Sequence, residues 1–124
     1  MVARAHELGG WAVVLSHAVV GAWALAANHL PTLRVRALWI ATVAAQVLVF
    51  VQIVLGVLAM QQLPDGVEVA DLHMFYGFLC IVSIGIIVSY RQQLEAHRYL
   101  LYGFGGLWIM GLAIRAMTLG PFAG

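Results

Sequence analysis

The sequence predicts an all-α integral membrane protein, a four-transmembrane-helix up-down-up-down bundle that forms one domain over residues 1–124. Three observations carry this. Of the 124 residues, 64% are hydrophobic and 9% charged, where a soluble domain carries roughly a quarter charged residues. The mean hydropathy is +0.98. The apolar residues also fall into four runs, each close to the ~20 residues that cross a bilayer as a helix. The connections between runs are too short for a crossover, so neighbouring helices should be antiparallel.

The first run covers about 8–29. Arg4, His6 and Glu7 precede it as a polar flank, and Pro31 follows, where a helix ordinarily stops. A competing reading takes Ala24-Leu25-Ala26 as a signal-peptide cleavage site. His17 within the run, and a start in which Glu7 offsets Arg4, argue for a retained helix. Arg34 and Arg36 lead into the second run, about 37–60, which carries Gln46 and Gln52. At least one of these amides should bond to another helix, because an unsatisfied amide in hydrocarbon is costly.

The loop at 61–71 contains Pro64-Asp65-Gly66, a turn signal, together with Glu68 and Asp71. The third run covers about 72–90. Arg91 and Arg98 bracket a polar turn with Glu95 and His97, and the fourth run covers about 99–119 and includes Arg115. Small residues at Ala22-x3-Ala26, Ala41-x3-Ala45 and Gly103, Gly105, Gly106 and Gly111 suit close helix approach. They fit packing within the chain, self-association, or contact with other membrane subunits. With a formal net charge of +1 and scattered arginines, the sequence offers no basic patch for nucleic acid. Cys80, the single cysteine, reads as a small buried apolar residue.

Two runs share a pattern, His17-x3-Gly21 and His73-x3-Gly77. Residues four apart share a helix face, so each glycine clears space beside an imidazole. The two histidines, like the two glycines, are 56 residues apart, which suggests a two-plus-two repeat. Two inward imidazoles entering from one side could hold a haem iron between them, a role neutral imidazole suits. His17 lies 12 residues before His29 and His73 18 before Arg91. At ~1.5 Å per residue, level rings therefore require tilt or a longer first helix. The competing assignment makes His17 a buried ring bonded to its surroundings and His73 an interfacial residue. Arg115 offers a guanidinium to haem propionates or an anionic substrate; otherwise it snorkels or pairs with Asp71 or Glu68.

Gln52-Ile53-Val54-Leu55-Gly56, a short loop, and His73 opening the next helix resemble a helical hairpin of haem A synthase. More loosely, the chain resembles four-helix membrane cytochromes of the b561 type. The resemblance covers about a third of the chain. It implies haem b held by histidines near one face of the bundle, with His73 a ligand and Gln52 and Gly56 its packing neighbours. The chain has four helices where the synthase has eight, and no counterpart of that enzyme's outer-loop carboxylate and histidine arrangement. The expected cofactor-binding set is therefore His17, His73, Gly21, Gly77 and Arg115, with His17 and His73 on the metal and no catalytic residue. The alternative is a non-catalytic accessory or assembly subunit of a larger membrane complex of respiratory type. The sequence shows no catalytic constellation, which favours a chain that is not an enzyme on its own without deciding it.

Cytoplasmic loops are rich in Arg and Lys. Arg34, Arg36, Arg91 and Arg98 flank the first and third loops, and the 61–71 loop has none. Both termini and the 61–71 loop should therefore lie outside, in a bacterial plasma membrane. A cysteine introduced into residues 64–69 should react with an impermeant thiol reagent on intact cells. Labelling confined to a cysteine in the 92–96 turn would invert the topology.

Overall fold

The computed structural model describes residues 1–119; residues 120–124, which the sequence assigns to the same domain, lie outside it. Four helices make up most of the described chain: α1 (Val2–His29), α2 (Arg36–Gln61), α3 (Asp71–Ser89) and α4 (Arg98–Leu119). Single 3-10 turns at Pro31–Leu33 and Glu95–His97 lie in the first and third connections. All four helices are long and apolar enough to cross a membrane. Three of them match the sequence reading to within a residue at each end. The exception is α1, which starts at Val2 rather than near Leu8. Arg4, His6 and Glu7 look like an aqueous flank, but no residue before Gly9 breaks a helix. The exposed Arg4–Glu7 pair, 3.1 Å apart at i,i+3, supports that first turn.

The ends have local causes. Leu30 precedes Pro31 and takes an extended conformation (φ −117°, ψ 98°), which closes α1. Arg34 then serves two carbonyls of the last turn, with Nε 2.7 Å from Ala27 O and Nη2 2.8 Å from Asn28 O. After α2, Val67 N donates to Pro64 O at 3.1 Å, and Gly66 at the third turn position has φ +84°. A side chain there would be strained, so glycine sets this turn.

α1 and α4 form the central pair. α2 packs on α1 and α3 on α4, while α2 and α3 touch only sparsely. Burial follows that order. α1 and α4 bury 44% and 33% of their most apolar stretches, against 11% for α2 and 17% for α3. The central pair meets almost backbone to backbone. A Cβ on Gly106 would lie 3.1 Å from Gly21 Cα, and one on Gly21 would lie 3.1 Å from the Gly103 carbonyl oxygen.

Small residues do make the helix contact, but on a different face from part of the sequence pattern. Gly21, Ala24 and Ala27 are buried, whereas Ala22 and Gly111 are exposed. At the arginine-bearing end, Ala24, Ala27 and Leu38 form a buried cluster covered by Trp39, Tyr99 and Tyr102. Trp39 packs 5.4 Å from Tyr99 and 5.2 Å from Tyr102, centroid to centroid. The Arg98 guanidinium lies 5.1 Å over the Trp39 ring. This cation–π contact ties α2 to the start of α4, and the Arg34 guanidinium, 5.1 Å over the Tyr99 ring, ties the α1–α2 connection to it as well.

The glycine contact yields a stability prediction. Gly106→Val should lower stability by about 1–3 kcal/mol through overpacking. The measurement is the thermal midpoint in detergent. Gly85→Ala, where an added Cβ meets nothing within 4 Å, should leave the midpoint unchanged or raised.

Candidate functional site

At one end of the bundle, the start of α1 and the start of α3 meet the last turns of α2 and α4. His6 on α1 and Gln52 on α2 bond reciprocally. His6 Nδ1 lies 3.3 Å from the Gln52 carbonyl oxygen, and Gln52 Nε2 donates to the His6 carbonyl oxygen at 2.6 Å. A carbonyl only accepts, so His6 Nδ1 carries the hydrogen. Gly56 makes the slot for this ring: a Cβ there would lie 2.8 Å from His6 Cε1. Gly9 performs the matching service for Gln52, since a Cβ on Gly9 would collide with the amide oxygen. That oxygen, Oε1, is buried and accepts no hydrogen bond among the described residues.

His73 is anchored in the same manner from the other side. Its Nδ1 donates to the Ala116 carbonyl oxygen of α4 at 2.8 Å. The His6 and His73 rings are neighbours in a T-shaped, edge-on arrangement, with centroids 6.1 Å apart and planes at 77°. Each ring has therefore committed Nδ1 to the main chain and keeps the lone pair of Nε2. This is the tautomer that an outer hydrogen bond imposes on a metal-ligating histidine.

His17 lies elsewhere. It is 2% exposed, and its Nδ1 donates to Val13 O at 2.9 Å, one turn back on α1. It follows His6 by 11 residues on the same helix, roughly 16 Å at ~1.5 Å per residue. The structure does not bring His17 and His73 together; the ring beside His73 is His6. The space beside Gly21 is filled by Leu107 and the Gly103 backbone, so that glycine serves the α1–α4 contact. Gly77 is different. A Cβ there would approach only Ile53 Cδ1, at 3.4 Å, across the sparse α2–α3 seam. Arg115 is exposed and directly precedes Ala116, whose carbonyl holds His73. Among the described residues the one ion pair is Arg4–Glu7, so Arg115 is bonded to neither Asp71 nor Glu68.

The sequence reading missed His6 because it lay in the supposed polar flank. A signal was present all the same, since His6-x3-Gly10 is a third copy of the pattern at His17 and His73. Among the described residues no three His, Cys, Asp or Glu side chains converge as a metal site. No family model matches this chain, and no curated protein or solved structure matches it.

The Gly56 slot can be tested directly. Gly56→Val should displace the His6 ring, break its bond to Gln52 O and cost about 1–3 kcal/mol. Nitrogen NMR of labelled histidine should show the His6 resonances moving while those of His17 stay in place.

Proposed function

We propose that this chain is a bacterial plasma-membrane protein that holds haem b between His6 and His73 and serves in electron transfer or haem handling. One observation carries the reading. Two imidazoles from α1 and α3 stand 6.1 Å apart, centroid to centroid, each bonded through Nδ1 to a main-chain carbonyl and each with Nε2 unbonded among the described residues.

The donor set supports a macrocycle over a bare ion. A structural zinc takes four protein ligands, and here two imidazoles are neighbours with no convergent third ligand among the described residues. A metal bound there would draw its remaining ligands from a cofactor. The separation is also suitable. Metal–imidazole bonds are about 2 Å long, so rings on opposite sides of one ion have centroids roughly 6 Å apart. The observed value is 6.1 Å. The α2–α3 seam, with Gly77 on it, is where a flat group meets least packing. The likeness of Gln52, Gly56 and His73 to a haem A synthase hairpin points the same way. When bound, such a group supplies a one-electron couple.

The chain's own residues hold and tune it. Gln52 and Gly56 orient His6, the Ala116 carbonyl orients His73, and Arg115 stands at the same end with a guanidinium suited to a propionate. The helices alternate up-down-up-down across the bilayer, with the arginine-bearing connections inside. The His6–His73 end, both termini and the 61–71 loop are then outside. The lightly buried faces of α2 and α3 meet lipid, a second copy, or other membrane subunits.

A detergent-purified preparation from haem-replete cells should show sharp visible bands on reduction. His6→Ala and His73→Ala should each abolish them, because each removes a metal bond. His17→Ala should keep them. Arg115→Ala should keep the bands and lower the midpoint potential, since loss of a nearby cation disfavours the reduced state. A colourless wild-type protein would reject the haem and leave the non-catalytic accessory subunit as the reading. Bands lost in His17→Ala and retained in His6→Ala would restore the ligand pair expected from the sequence.

A further inference from the structure

A cavity of about 10 Å³ lies where all four helices meet, with His17, Thr42, Gln46 and Tyr102 as its polar lining. One water needs roughly 10–15 Å³ of such space, so the cavity admits a single water and nothing larger. His17 is 2% exposed, yet its Nε2 is buried without a hydrogen-bond partner among the described residues. The Val13 carbonyl accepts from Nδ1 at 2.9 Å, which puts the hydrogen on Nδ1 and leaves Nε2 as a bare acceptor. A buried acceptor left that way costs the full desolvation of the atom.

We propose that this cavity binds one water molecule, which donates to His17 Nε2 and joins α1 to α2 and α4. The lining supplies the complement of its four bonds. The Thr42 hydroxyl has spent its hydrogen on Leu38 O at 2.8 Å, so its oxygen accepts the water's second hydrogen. The Gln46 amide and the Tyr102 hydroxyl have hydrogens to donate to the water's lone pairs. No Asp, Glu, Lys or Arg lines the space, which leaves an ion without a counter-charge, and Val20, Ile87 and Ile109 close it with apolar carbon. The site owes nothing to His6 or His73, and it gives His17 a role that does not involve iron.

The test uses the full chain in lipid vesicles with nitrogen-labelled histidine, read by solid-state NMR; His17→Phe assigns the His17 signals. The expected result is a neutral His17 with hydrogen on Nδ1, a hydrogen-bonded Nε2, and magnetisation transfer from water to the ring. Thr42→Val, which keeps the shape and removes the acceptor, should lose most of that transfer. A wild-type spectrum without transfer, or with hydrogen on Nε2, would overturn the proposal. So would full transfer in Thr42→Val. If that variant does not fold, the wild-type spectrum decides alone.

Discussion

The near contact of the α1 and α4 backbones at Gly21 and Gly106 is the constraint from which the other distances follow. Lipid tails are as apolar as leucine, so burying apolar surface does not by itself drive one membrane helix onto another. Close dispersion contact does, and it needs positions without a side chain in the way. Gly21, Gly103 and Gly106 supply them. Once α1 and α4 are held at that spacing, α2 and α3 occupy the flanks and the seam between them stays thin.

Within such a bundle each polar group must find its partner inside the protein. His6, His17 and His73 meet that demand alike, with Nδ1 on a main-chain carbonyl oxygen. They differ in what lies beside the ring. His6 and His73 have each other's rings as neighbours, and His17 lines a space the size of one water. A single chemical solution thus gives two kinds of site, separated along α1 by three turns.

Glycine has two uses in this chain that look identical in sequence. Beside His17, the glycine four residues on serves a helix crossing, whereas Gly56 on α2 clears room for the ring of His6 on another helix. The sequence reading expected Gln52 and Gly56 to pack beside the imidazole of His73. In the structure the ring they cradle is His6, and His73 stands opposite it. Arg115 was legible as a cation near the end of α4, and the structure leaves it exposed, with no acid bound to it among the described residues.

Four helices long and apolar enough to span a membrane could be counted from the sequence because length and hydropathy are local properties of each run. Seven of their eight ends lie within a residue of the sequence reading, because the change from apolar run to polar connection is itself local. The start of α1 did not follow, because three polar residues signal solvent whether or not the backbone remains helical. The partner of His73 was decided by tertiary structure alone. His6 and His73 stand 67 positions apart, and no spacing rule reaches that far. They meet because α1 and α4 pack on glycine, α3 packs on α4, and the start of α1 extends one and a half turns beyond its apolar run.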